Sequence, residues 1–180
     1  MFPEIEVILI AALSADGFIA ADERHLSTSW TSVDDKKHLV AETKKAGVVI
    51  MGANTFRTFN TPLKGRLNVI YSKSHVFEND FPGNDQVLTT SQSPVDLLST
   101  LEGRGYKQVA LCGGTSIYSM FLRSGLVTRF KLTIEPVLLG NGLSLFQADL
   151  PKIPRLKLEK YEVLPTGTIF LEYTVDQATA

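Results

Sequence analysis

The sequence predicts an α/β domain: a mostly parallel sheet, covered by helices on both faces and ending in an antiparallel hairpin. Three observations predict it. Short apolar runs alternate with helix-like segments through most of the chain, the pattern of buried strands joined by helical crossovers. Two of these runs, 48–51 and 108–112, lead through small-residue turns, Gly52-Ala53-Asn54-Thr55 and Gly113-Gly114-Thr115-Ser116, into helices. The tail then changes character, with strand-like stretches on either side of Pro165-Thr166-Gly167, the mark of a hairpin.

The elements follow in order. Residues 7–13 are an unbroken apolar run and form the first strand. The run is too short to cross a bilayer and follows Glu4 and Glu6 rather than Lys or Arg, so neither a membrane span nor a signal peptide is expected. Residues 34–46 form a helix: Ser32 caps it, Asp35 three residues on completes a capping box, and Lys44-Lys45 then Gly47 close it. Strands at 48–51 and 67–71 flank a short helical turn, and the polar stretch 72–94 is a surface crossing with a strand-like 86–88. A helix at 93–102, a strand at 108–112, a helix at 116–124 and a strand at 129–138 complete the alternation, and 156–164 with 168–175 make the hairpin.

Length and composition narrow the function. The 180 residues suit one domain, 1–180, with a core that needs no staples. A net charge of −1 argues against nucleic acid or a membrane surface as the main partner. The single cysteine, Cys112, leaves no intrachain disulfide and suits a reducing, cytoplasmic setting. It sits in an apolar run and reads as a small core residue. His25, His38 and His75 lack metal-ligand spacing, so no metal is expected.

The two glycine turns carry the chemistry. Glycine lets backbone approach a ligand closely, and the helix that follows offers unpaired N–H groups and a positive dipole end. Two such turns side by side make a phosphate clamp for a dinucleotide. Asp35 has two readings at this level, helix cap or functional acid.

The ordered set of segments resembles the dihydrofolate reductase superfamily, including the reductase domain of riboflavin biosynthesis. Residues 8–20 are similar to that family's first strand and active-site loop, and Trp30 followed five positions on by Asp35 is similar to its tryptophan and acid. The stretch 49–72, with Met51-Gly52, Asn54-Thr55 and Pro62-Leu63-Lys64-Gly65-Arg66, matches without a gap. Gly113-Gly114 through Tyr118 resembles the second cofactor turn, and Leu132-Thr133 the strand that brings a hydroxyl to the acid. The resemblance implies a dihydrofolate reductase-like fold and NADPH as cofactor. It implies catalytic Asp35, Trp30 and Thr133, and substrate contacts from Ala11, Leu39, Thr58, Phe59 and Arg66. It further implies cofactor contacts from Ala12, Ile19, Gly52, Asn54, Thr55, Ser72, Lys73 and from Gly113, Gly114, Thr115, Ser116, Ile117 and Tyr118.

Two branches compete. Trp30, Asp35, the ungapped 62–66 and Thr133 look like dihydrofolate reductase, which implies reduction of dihydrofolate to tetrahydrofolate with Arg66 on the glutamate tail. Gly125-Leu126-Val127 and the segment 135–142 look more like the riboflavin branch, which implies a ribosylaminopyrimidine phosphate with Arg66 facing the ribose phosphate. Taken by itself, Arg66 reads equally as an ordinary strand-edge arginine. The folate branch is the expectation, with the riboflavin branch as alternative and a non-catalytic NADPH or pterin sensor as a third. Ala53 stands where many dihydrofolate reductases carry a base for the cofactor phosphate, a role Lys73 can fill. The partner is a small molecule, and the chain is expected as monomer or homodimer.

Overall fold

In the computed structural model, which describes residues 3–25, 27–147 and 154–176, the chain is organised around β1 (Glu6–Ser14), at the centre of an eight-stranded sheet. The chain then makes β2 (Phe18–Ala20), a 3-10 turn at Ser27–Ser29, α1 (Val33–Ala46), β3 (Val48–Gly52) and α2 (Ala53–Phe59). β4 (Leu67–Tyr71), β5 (Val87–Thr90), α3 (Pro94–Gly103), β6 (Gln108–Leu111) and α4 (Thr115–Arg123) follow. β7 (Arg129–Glu135), β8 (Leu143–Ser144), β9 (Leu156–Val163) and β10 (Ile169–Val175) end the described chain. The sheet order is β5-β4-β3-β6-β1-β7-β10-β9, parallel from β5 to β7 and antiparallel across β7-β10-β9.

Burial explains the apolar runs. Val7, Leu9, Val48, Ile50, Val69, Val109 and Leu111 pack on one face of the sheet with α3 and α4. Ile8, Ile10, Val49, Met51, Ile70 and Ala110 pack on the other face, against Ala46 and Leu39 of α1 and Phe56 of α2. Both faces of the central strands are therefore dry, and no polar alternation survives in their sequence.

Local signals set the boundaries. Ser32 Oγ accepts from Asp35 N at 3.1 Å and Gly47 ends α1 at φ +73°, as the sequence leads one to expect. The Asp35 carboxylate does not complete the capping box; it reaches Thr133 instead. The strand expected to run to residue 138 stops at Glu135, because Pro136 has no N–H to continue the ladder. β5 lies one residue further along at its start than the strand-like 86–88 suggests. The pair β2–β8 has no counterpart among the sequence expectations. It depends on Gly142, where a Cβ would lie 2.2 Å from Ala20 O, and it brings the segment 139–144 against the loop after β1.

Candidate active site

The carboxyl ends of β1, β3, β4 and β6 open into one cavity of about 600 Å³. Ligands in open parallel sheets bind at this edge, where helices on opposite faces diverge. Ala11 and Ala12 reach it from β1, Ile19 from β2, and Asp35 and Leu39 from α1. Gly52, Asn54, Thr55, Thr58 and Phe59 line it from the β3–α2 unit, Ser72 and Lys73 from the end of β4, and Gly113 to Tyr118 from the β6–α4 unit.

The two glycine turns lie against each other. Gly52 N donates to Gly113 O at 2.9 Å, which locks their spacing. Gly113 holds φ +110°, and a Cβ on Gly114 would lie 3.3 Å from Thr55 Oγ1. Gly114 is the N-cap of α4 and supplies no side chain to its first N–H groups, so these are available to an anion in the cavity. The cleft between the turns therefore suits a diphosphate that must approach backbone closely. Tyr118 is anchored by donating its hydroxyl to Ile10 O at 2.6 Å, tying α4 to β1.

Asp35 lines the same cavity. It is only 8 % exposed, and Thr133 Oγ1 donates to its Oδ1 at 2.5 Å. Burial pushes its carboxyl above the ordinary range, and nearby Glu135 adds to that; hydrogen bonds from Thr133 and Thr31 and the charge of His38 pull the other way without cancelling it. Glu135 is itself buried and accepts from Ser32 Oγ at 2.9 Å and Thr168 Oγ1 at 3.1 Å. Since Ser32 caps the helix that carries Asp35, β7 holds this acid twice, through Thr133 directly and through Glu135 and the cap.

Three expected site residues lie outside the cavity lining, and of these Thr133 stands where it is expected, beside Asp35. Arg66, expected at a substrate carboxylate, is outside the cavity lining and 6 % exposed. Its Nη1 donates to Thr43 Oγ1 and Val40 O on α1, and its Nε to Lys64 O at 3.3 Å. Its Nη1 is turned toward carbonyl and hydroxyl acceptors on the helix, and so ties the start of β4 to α1. Trp30 does not line the cavity either; its ring stacks on His25 at 6.4 Å, and its Nε1 is buried without a partner. Thr133 meets the cavity only through Asp35.

Other lining residues escaped the sequence. Asp22, Glu23, His25 and Ser27, from the segment after β2, and Arg57 of α2 all face the cavity. Arg57 lies three residues from Asn54 and donates to its Oδ1 at 3.2 Å, so the helical spacing of Asn54 and Thr58 held a usable signal. The loop residues carry no periodicity to find. Cys112 also lines the cavity, and burial pushes its thiol up to about 12. Among the described residues, no cluster of His, Cys, Asp and Glu can hold a metal ion, and no helix is long and apolar enough to cross a membrane.

The family described as the RibD C-terminal domain matches residues 6–170. The chain belongs to this family. A curated relative, the uncharacterized protein YyaP of Bacillus subtilis, is 24% identical over 180 residues, 93% of each chain. Among solved structures, a putative riboflavin biosynthesis protein of Shewanella superposes with a TM-score of 0.81 at 23% identity, covering 96% of this chain and all of the other. Dihydrofolate reductase of Enterococcus faecalis, complexed with NADP(H) and RAB-propyl, superposes at 0.70 with 15% identity, covering 98% and 100%. The RibD C-terminal family thus shares the dihydrofolate reductase-like fold read from the sequence.

Proposed function

We propose that this protein, acting as one domain over residues 1–180, is a nicotinamide-dependent reductase of a small heterocycle, and that the heterocycle is a ribosylaminopyrimidine phosphate rather than dihydrofolate. The observation that carries the reductase reading is the buried Asp35, held by Thr133 and lining the same cavity as the glycine turns. Membership in the RibD C-terminal family supports the pyrimidine reading.

The chemistry follows from the walls. A nicotinamide cofactor, when bound, would supply hydride to C1′ of the exocyclic C=N bond that forms when the ribosylamine's sugar ring opens, the nitrogen taking a proton. Gly52, Gly113 and Gly114 give its diphosphate room, and the first N–H groups of α4 meet the negative charge. Lys73, at the end of β4, lines the cavity where the extra phosphate of NADPH would favour it over NADH. Asp35 accepts two hydrogen bonds, from an exocyclic amino group and the adjacent ring N–H, and so fixes the ring in plane. In the ionised form it also favours protonation of the imine nitrogen attached to the ring, which readies the C=N bond for hydride. Thr133 keeps the carboxylate in that orientation. A sensor that never turned its ligand over would have no use for such an acid.

Dihydrofolate stays as a second reading because the Asp35–Thr133 pair is also the pair expected on the folate branch. NAD(P)H oxidation followed head to head with the ribosylaminopyrimidine phosphate and dihydrofolate tests both. Turnover of the pyrimidine alone supports the proposal, turnover of dihydrofolate alone reverses the substrate, and cofactor binding without turnover of either favours the sensor.

A further inference from the structure

Two carboxyl groups are buried among the described residues, Asp35 and Glu135, and only Asp35 meets the cavity. Glu135 is the deeper, at 2% exposed, and among the described residues no Lys, Arg or His forms an ion pair with it. Its donors are hydroxyls: Ser32 Oγ reaches Oε1 at 2.9 Å and Thr168 Oγ1 reaches Oε2 at 3.1 Å. Thr168 Oγ1 also lies 3.0 Å from Ser32 Oγ, which closes a ring of three side chains. Ser32 Oγ receives Asp35 N in turn, so the ring ends on the backbone of the acid. A buried carboxyl with no cation beside it costs stability, and stability alone gives no reason to keep one.

We propose, on the reading of Asp35 as the working acid, that Glu135 is a positioning residue for it, acting through the Ser32 cap and through a like charge beside the carboxylate. Thr133 and Glu135 stand two apart on β7, so their side chains leave the sheet on one face. Thr133 holds Asp35 by its carboxylate, and Glu135 holds the helix cap three residues before it. Together they fix the first turn of α1 against rotation. Burial raises the Asp35 carboxyl most and repulsion from Glu135 adds to it, against hydrogen bonds from Thr133 and Thr31 and the charge of His38. Burial pulls His38 down, so at neutral pH it offers little charge to offset Glu135. Tyr118 of α4 also feels Asp35, and Lys131, two residues before Thr133 on β7, is held by Glu42 at 2.6 Å. Beyond Thr168, Thr166 Oγ1 donates to Asp34 at 3.0 Å, and Lys37 lies 3.9 Å from that carboxylate.

The ring itself defines the variant that isolates the charge. In Glu135→Gln the amide oxygen accepts from Ser32 Oγ as before, and the amide N–H donates to Thr168 Oγ1. Thr168 Oγ1 then turns its own proton to Ser32 Oγ, 3.0 Å away. Each member keeps a partner, and only the charge is gone. Thr168→Val does the reverse, leaving the charge and opening the ring.

Carbon-detected NMR titration of the Asp35 carboxyl in the full chain without ligand tests the proposal, with Asp35→Asn to assign the signal. Glu135→Gln should move the midpoint to lower pH by roughly half a unit or more, because a like charge has gone. In Thr168→Val, hydrogen exchange at the Asp35 amide should rise roughly threefold or more, while amides in the middle of α1 keep their wild-type rates. This second variant, close in shape to the native residue, keeps the test open should the Gln variant not fold. Neither measurement needs a substrate. In turnover assays the acid limb of kcat/KM for Glu135→Gln should follow the shift to lower pH, which lost packing alone would not produce. A midpoint within about 0.2 of a pH unit of wild type in folded Glu135→Gln would overturn the proposal. So would an Asp35 amide that Thr168→Val leaves unchanged. A shifted midpoint with an unmoved limb would uphold the link between the two acids and overturn the reductase reading beneath it.

Discussion

Thr133 Oγ1 donates to Asp35 Oδ1 at 2.5 Å, across 98 residues of chain. The bond joins α1 to the middle of β7, and it turns an acid that could have served only as a helix cap toward the cavity. The cap survives without it, because Ser32 Oγ still receives Asp35 N. Asp35 is therefore capped by Ser32 through its backbone N–H, which leaves its side chain to face the cavity.

That separation predicts an unusual stability profile. Burial raises the Asp35 carboxyl above its ordinary value of 3.8. The stability that its neutral form contributes is fully present below that value and is lost as pH rises through the raised folded value. At neutral pH the ionised, buried carboxylate is then a cost that Asn does not carry. Asp35→Asn should melt at or above the wild-type temperature at neutral pH, and the difference should shrink as pH falls through the folded value. Thermal melts across pH check this; a variant less stable than wild type at neutral pH would contradict it.

Gly114→Val tests the cofactor turn. Its Cβ would lie 3.3 Å from Thr55 Oγ1, and the branched side chain would occupy the space between the two turns. NADPH affinity should fall roughly tenfold or more by calorimetry, with the far-ultraviolet dichroism unchanged. Unaltered affinity in a folded variant would make the turn purely architectural.

Arg66→Leu should separate folding from function. Removing the guanidinium takes donors away from Val40 O and Lys64 O, while Thr43 Oγ1 keeps its own bond to Leu39 O at 2.6 Å. The expected loss is about 1–3 kcal/mol of stability, read by denaturant titration. KM for the substrate should stay within about twofold of wild type. A large rise in KM with little loss of stability would return Arg66 to the substrate.

Most of the fold was legible because the central strands are dry on both faces, which leaves runs such as Val7–Ile10 and Val48–Met51 unbroken by polar residues. The caps Ser32 and Gly47 and the turn Pro165-Thr166-Gly167 are equally local signals. The β2–β8 pair was not legible, since strands of three and two residues are too short to show a period. Within the site, Asp35 and the glycine turns were visible through their spacing. Arg66 stayed ambiguous because a cation at a strand entry reads the same whether it faces a ligand or, as here, bonds Thr43 on a neighbouring helix. Asp22, Glu23 and His25 reach the cavity only through the path of their loop, which leaves no local trace in sequence.

The most direct test of the central claim is the steady-state rate of NADPH oxidation by wild type and Asp35→Asn, each with the ribosylaminopyrimidine phosphate and with dihydrofolate. Asn keeps the shape and loses the charge that holds the ring. The expected result is wild-type turnover of the pyrimidine and a fall in kcat/KM of two or more orders of magnitude in the variant, about 3 kcal/mol of transition-state stabilisation. Near-normal turnover by Asp35→Asn would remove the acid from the mechanism and leave its burial as packing alone.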